Sequence, residues 1–587
     1  MNLQSFPRKS FAVIALLFSL GVFFQSCKDD TAAPVPAPTI SLTTSTFQGI
    51  VGSDVTLAAS VNAPGGLKTI TVLKNGAAFD SKTYAGETSA TYSKVYNIEN
   101  LASGSVVNFT LIATDNNNVK SEIGTIAVTV SAIPAKTIVE VKGLLTGDIR
   151  WTKDKIYKLM GFVRVGGDTL QISAANAVTG TLTIDPGTLI IGDRATKGTL
   201  VIQRGSRIIA NGTVAEPIVF TSERDPGFRE PGDWGGLVIC GKAVNNRAGG
   251  SDQLEGGYKA WHGGTVDTDN SGSLKYVRVE FAGVPVNPNQ EVNAFTFGSL
   301  GSGTTLEYLQ ASFGLDDSFE WFGGTVNAKY LVAYKGLDDD FDLDFGYRGF
   351  VQFAVGVRGS TQADQSGSNG FEVDNDGQGT AAVPFTAPTL ANFSLIGAKQ
   401  SSETAISAQF QNGMHLRRNC KIKVYNTFVT AYPNGIFIDG ATTTANALSG
   451  DLILRGIVVA GVDQYGTNGF GTGGSSRFTP AGFPIRDVTT AVPAVAFTIG
   501  TQKPSDWFAA QTGNKLVANY GLVGLNTGVF GGSRPNFSIA ATATQTLTKG
   551  GVTLPAGLTP TDYVGAFKDS DWTATWAEFS PNTVMYK

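Results

Sequence analysis

Two textures of apolar and polar positions divide the chain. Between residues 39 and 133 the two alternate in short runs, TISLTTS, VTLAASVNA, TITVLKNG, TYSKVYNI, VVNFTLIATD and GTIAVTVS, with Gly, Asn and Pro between them. A period of two places every second side chain on one face, so each run reads as a strand with one buried side. Strands at this spacing predict a β-sandwich over 39–133. From 137 onward the runs are shorter, richer in β-branched residues and broken by Gly at close, irregular intervals, as in GTLTIDPGTLIIGDRATKGTLVIQRGSRIIANGTVAEPIVFTS over 180–222. No helical period runs through them. Such units bury a core only by stacking on one another, which predicts a solenoid.

An internal repeat fixes the kind of solenoid. GLDDSFEWFGG begins at Gly314 and GLDDDFDLDFG at Gly336, 22 residues on, which is one coil of a parallel β-helix. Tyr276, Tyr308 and Tyr330 recur upstream in YVRVE, YLQAS and YLVAY. The same register continues through Phe319-Glu320-Trp321, Phe341-Asp342-Leu343, Phe371-Glu372-Val373, Met414-His415-Leu416 and Ile436-Phe437-Ile438, each after a small polar pair. Strand alternation turns the flanking apolar residues inward, where they stack, and the middle residue outward. The fold class is therefore all-β, a β-sandwich followed by a large right-handed parallel β-helix over 137–500 and an irregular C-terminal cap over 501–587; FTLIATDNNNVKSEIGTIAVTVS (109–131) resembles the last hairpin of Ig-like and cadherin-like modules of bacterial surface proteins, which implies an Ig-like architecture for the sandwich.

The first residues change the picture of location. Arg8 and Lys9 precede an apolar stretch over 11–24 that is short for a bilayer-spanning helix, so residues 1–26 read as an export signal. Ser26-Cys27 at its end resembles a bacterial lipobox, and Cys27-Lys28-Asp29-Asp30 resembles the surface-export signal of bacteroidete lipoproteins. The resemblance implies a lipid on Cys27 that holds the protein at the cell outer membrane, facing outward. Residues 27–38 then form a Pro-rich stalk. Loss of Arg8 and Lys9 takes the formal charge from −4 to −6. An acidic balance leaves no basic excess for phosphates, which argues against nucleic acid as a partner. Two histidines exclude a His-rich zinc centre. Cys240 and Cys420 lie in apolar runs and read as buried thiols.

Candidate chemistry gathers on the outward positions. Glu320, Asp342, Glu372 and His415 form one column, and Asp344, Asp374, Arg417 and Asp439 the next. With coils about 4.8 Å apart, carboxylates this close raise one another's pKa or recruit a cation. Hard oxygen ligands suit Ca²⁺, and Asp340, Asp342, Asp344, Glu372, Asp374 and Asp376 are the candidate ligands. Glu372-x-Asp374-x-Asp376-Gly377 resembles the first half of a calcium loop, but Val383 stands where its bidentate Glu belongs. Asp267-x-Asp269-Asn270-Ser271-Gly272 departs in the same way at Arg278. No phosphate-binding loop or other organic-cofactor motif is present. Trp261 and His262 mark a loop that could stack on a sugar ring, and with Glu320 and Asp439 they complete the candidate ligand contacts.

Paired carboxylates could also act on a glycoside, with Asp342, Glu372, His415 and Arg417 as catalytic candidates. This arrangement resembles the β-helices of pectate lyases and polygalacturonases, and Asp316-Asp317 and Asp338-Asp339 echo the paired Asp of the hydrolases. The Gly-His-Gly and Asn-Thr-Asp of that pattern are missing here. The phrases GDWGGLVICGKA (232–243), DNSGSLKYVRVEFAG (269–283), DDSFEWFGGTVNAKYLVAYKGLDDDFD (316–342) and SGSNGFEVDNDGQG (366–379) are similar to a family of bacteroidete β-helix surface lipoproteins. That resemblance implies an accessory protein of the outer surface that serves nutrient capture with a TonB-dependent transporter. Two functions follow as expectations: an extracellular binding or scaffold protein for glycans or other nutrients, or a calcium-dependent polysaccharide lyase or hydrolase.

Overall fold

The computed structural model describes residues 35–131, 136–167, 178–257, 259–286, 291–361, 363–401, 404–461, 484–541, 543 and 547–586. Cys27 and the export signal lie outside them. The chain forms two compact units, Met1–Pro134 and Ala135–Lys587.

In the first unit a three-stranded sheet (Thr39–Leu42, Asp54–Asn62, Ser89–Asn97) faces a five-stranded one (Thr46–Gly49, Gly124–Val130, Val106–Asp115, Leu67–Lys74, Ala77–Thr83). Alternation in Asp54–Asn62 and Val106–Asp115 turns Leu57, Val61, Phe109 and Leu111 into one shared core. This is the sandwich that the period-two runs require.

The second unit is built on one sheet of 25 strands. Its named strand pairs are parallel, and a strand pairs with the one a full coil later rather than with its neighbour in sequence. Phe319–Gly324 pairs with Phe341–Asp344, which pairs with Phe371–Val373, then Asn412–Leu416 and Asn434–Ile438. A second series runs through Thr305–Ser312, Asn327–Tyr334, Phe350–Val357 and Thr389–Ile396. Parallel strands joined by crossovers that wind right-handed give a right-handed parallel β-helix. Inside it like stacks on like: the rings of Phe295, Phe319 and Phe341 lie 5.0 and 5.6 Å apart and within 7° of parallel. Trp234 and Trp321 are fully buried. Burying each such side chain is worth roughly 2–3 kcal/mol, and the stacking repeats that gain in every coil.

The second series bends in mid-strand. Tyr276, Tyr308, Tyr330, Phe353, Asn392 and Asn426 occupy the bend in successive coils with φ between +44° and +62°. This left-handed conformation costs a non-glycine residue about 1–2 kcal/mol. Ring stacking at 4.4, 4.4 and 5.0 Å along Tyr276, Tyr308, Tyr330 and Phe353, at about 0.5–1.5 kcal/mol per pair, offsets much of that cost.

The expected cap over 501–587 divides in two. The helix Pro504–Ala510 contributes Trp507 and Phe508 to the interior cluster, as a cap would. Residues 552–586 instead run back along the outside of the bend. Val552 pairs with Asn426, Trp576 packs edge-on against Tyr276 and Tyr308, and Tyr586 reaches Glu280. Cys240 and Cys420 are both buried and no disulfide joins them.

Candidate functional site

The strands Phe319–Gly324, Phe341–Asp344, Phe371–Val373 and Asn412–Leu416 present one outward column, Glu320, Asp342, Glu372, His415, in strict register. Phe437 continues it, and Thr296, Val238 and Val201 precede it. The earlier part lies under a loop: Val201 and Val238 pack with Leu254, Ala260 and Val292. The carboxylates begin at Glu320, in the coil after Thr296.

The turns leading into these strands add two acidic pairs, Asp316-Asp317 and Asp338-Asp339. Oxygens of Asp316, Asp317 and Asp338 lie within 4.8 Å of one another, as do those of Asp317, Glu320 and Asp342, and those of Asp339, Asp342 and Glu372. The three triads interlock through Asp317 and Asp342. Most members are held by the protein. Asn293 donates to Glu320, the Asp339 amide donates to Asp317 at 2.8 Å, the Asn369 amide donates to Asp339, and Ser366 donates to Asp338 at 2.8 Å. Asp342, at the junction of two triads, accepts a hydrogen bond from no described residue.

Loss of solvation, and then the neighbouring carboxylates, push Asp316, Asp317, Glu320, Asp339 and Asp342 well above the usual carboxylate range. Asp338 is pushed up to about 7, first by burial, against a lowering bond from Ser366. Positive charge is scarce here. Arg417 bonds Glu372 and, at 2.9 Å, Asp374; Arg418 bonds Asp374 at 2.6 Å. Such a cluster either holds protons or recruits a cation with oxygen preference.

Asp342, Glu372, His415 and Arg417 are thus brought together, with Glu320 one coil away. His415 is buried, stacks on Phe437 at 5.2 Å and lies 3.1 Å from Asp439 through Nε2; its Nδ1 has no hydrogen-bond partner among the described residues. The remaining candidates are placed differently. Asp340 precedes the strand, where alternation does not yet hold. It points to the other side, into a buried ion pair with Arg358 at 3.0 Å, and also accepts from Tyr432. Asp376 lies past its strand and ties its own turn through Thr380 and Gln378, which helps to hold its carboxyl below the usual range against burial. Asp344 accepts the Phe345 amide and Asp374 is held by two arginines, so neither joins a triad. Of the six expected metal ligands, Asp342 and Glu372 do.

In the 267–272 loop Asp267 accepts from Val244 and Arg348, and Asp269 from Lys242. Those oxygens serve the fold. His262 is no surface contact. It is 1% exposed in the hairpin of Ser251–Gln253 and Trp261–Gly263, bonds Ser299 at 2.9 Å and packs on Phe322. Burial holds its pKa down to about 3. Trp261 is half-buried in the same hairpin. The acidic pairs before the strands are the part of the cluster that the strand register does not reach. Their signal was the Asp-Asp repeated at a spacing of 22.

Residues 143–478 match the family described as a pectate-lyase-like β-helix domain. No curated protein matches the chain. Among solved structures, the chain is similar to a family 28 exopolygalacturonase of Yersinia enterocolitica, with 12% identity over 72% of this chain and 92% of that one and a TM-score of 0.16. It is also similar to fibronectin(III)-like modules of CbhA from Clostridium thermocellum, with 19% identity, a TM-score of 0.14 and 17% of this chain covered. The chain spans about half (48%) of the length of that second structure. Likeness this loose carries neither protein's activity over.

Proposed function

Because the chain belongs to the pectate-lyase-like β-helix family, we propose that it is an extracellular glycan-binding protein whose acidic cluster takes a divalent cation, calcium, and holds the glycan through it. The observation that carries the reading is Asp342: a carboxylate without a hydrogen-bond donor among the described residues, shared by two triads, with few cations near. Asp317, Glu320 and Asp342 in one triad, and Asp339, Asp342 and Glu372 in the next, fit calcium by donor type and spacing, and a bound calcium would supply positive charge on which sugar hydroxyls or carboxylates bind. Cys27 carries the lipid anchor to the outer membrane, the first unit serves as an Ig-like spacer, and a TonB-dependent transporter takes the captured glycan.

The test is incubation of the protein lacking residues 1–27 with a panel of neutral and uronic-acid polysaccharides, with calcium and with chelator, scored for gel retardation and for chain cleavage. Calcium-dependent retardation lost in Asp342→Asn supports the reading. Cleavage lost in Asp342→Asn and His415→Ala replaces it with a lyase or hydrolase, a reading that the neighbouring Glu372, Arg417 and His415 support. Neither retardation nor cleavage refutes both.

A further inference from the structure

The outer face of the strand bend reads polypeptide main chain. Asn426 donates to the Val552 carbonyl at 3.0 Å and accepts the Val552 amide at 2.8 Å. Gln352 makes the same two-pronged pair with Thr559, at 2.7 and 2.8 Å, and Gln310 with Glu578, at 2.6 and 2.9 Å. Asn392 donates to the carbonyls of Tyr563 and Gly565 at 3.2 and 3.1 Å. All four amides are fully buried. An amide side chain that both donates to and accepts from one residue's backbone satisfies that residue's main chain, and is indifferent to the side chain that the residue carries.

Side chains of the segment add aromatic contacts to the main-chain bonds. Trp576 meets the edges of Tyr276 and Tyr308 at 5.8 and 6.0 Å. Tyr586 donates to the buried Glu280 at 2.7 Å and has the Arg229 guanidinium over its ring at 5.0 Å. This division, main chain held by amides and a few aromatic anchors in pockets, is how peptide grooves divide affinity from specificity.

The coil interior does not need the segment. Among the described residues the interior cluster runs from Val141 to Phe508 and includes nothing beyond. Residues 552–586 contribute Val564, Phe567, Trp576 and Phe579 to a separate outer cluster. The chain enters this face just after Gly550 and Gly551, both exposed and both at positive φ.

We infer that this face is a binding groove for a turn-rich polypeptide segment, filled in cis by the chain's own residues 552–586 and able to take the same segment from a second copy of the chain. The test inserts a specific protease site between Gly550 and Gly551, cuts the folded protein, and adds a fluorescent synthetic peptide of residues 552–587. The expected result is one peptide taken up per cut protein, chased by unlabelled peptide, at least a hundredfold weaker when the peptide carries Trp576→Ala together with Trp572→Ala, the ring that meets Tyr330 edge-on at 5.4 Å, and about tenfold weaker when the protein carries Gln352→Ala. Failure of the peptide to exchange into a core that keeps its circular dichroism overturns the inference, and so does unfolding of the core when the cut fragment leaves. Hydrogen exchange on the uncut chain checks it without any insertion. The amides of Val552, Thr559 and Glu578 should open together and well before those of Phe319–Gly324; equal protection of the two sets overturns the groove.

Discussion

One β-helix carries two opposite solutions for its outward side chains. On the strand bend, Gln310, Gln352, Asn392 and Asn426 are fully buried and their bonds are met by residues 552–586 of the same chain. On the acidic face, Asp317, Glu320, Asp339, Asp342 and Glu372 are crowded together, and no described residue donates to Asp342. The first face is polar surface converted into structure. The second retains an electrostatic cost that the fold does not offset, and such unrelieved cost is a mark of a site that awaits a ligand. Substitutions on the two faces should therefore change stability in opposite directions.

The largest effect belongs to the bend. Trp576→Ala removes a fully buried ring from the outer cluster and should cost about 3–5 kcal/mol, read by denaturant unfolding of tryptophan fluorescence. All seven tryptophans lie in the second unit, so the signal reports on the β-helix alone. A cost below about 1 kcal/mol would mean that the segment rests only loosely on the coils.

Next comes a dependence on pH. A carboxyl whose folded pKa is raised holds its proton more tightly folded than unfolded, so it stabilises below the unfolded value and loses that contribution as pH rises through the folded one. Asp338 moves from 3.8 to about 7, and Asp316, Asp317, Glu320, Asp339 and Asp342 are raised with it. In chelator, the β-helix should lose stability steadily from about pH 4 to pH 7, and calcium should flatten that slope. Glu280 on the opposite face is also raised by burial, but its share should ignore calcium. A profile that is flat in chelator would contradict the crowding.

Smaller still, Asp342→Asn should raise stability in chelator at pH 8 by about 1 kcal/mol, because it removes one of several like charges. A loss of stability would mean that Asp342 has a structural partner. Tyr586→Phe, which deletes only the hydroxyl that bonds Glu280, should cost about 1 kcal/mol, measured in the same way.

The two faces were not equally legible in the sequence. The acidic column was, because Phe319-Glu320-Trp321 and Phe341-Asp342-Leu343 carry their own phase: apolar residues on both sides of the carboxylate fix which way it points, and the spacing of 22 fixes which coil it neighbours. The phase fails where the strand ends. Asp340 stands one residue before its strand and Asp376 three beyond Val373, so alternation assigned both to the site while the turns sent them elsewhere. His262 read as a loop residue because burial by a two-stranded hairpin leaves no period in so short a segment. Residues 552–586 read as an irregular cap for a different reason. Main-chain bonds to Gln310, Gln352 and Asn426 leave no side-chain pattern in the segment that is bound, and no local signal in Tyr276, Tyr308 and Tyr330 says what covers them.

The most direct test of the account is calorimetric titration of calcium into the chelator-treated protein lacking residues 1–27, beside its Asp342→Asn variant. Saturable binding that weakens at least tenfold in Asp342→Asn while Asp267→Asn leaves it unchanged is the result expected. No binding, or binding that Asp342→Asn does not alter, would contradict a cation-holding cluster.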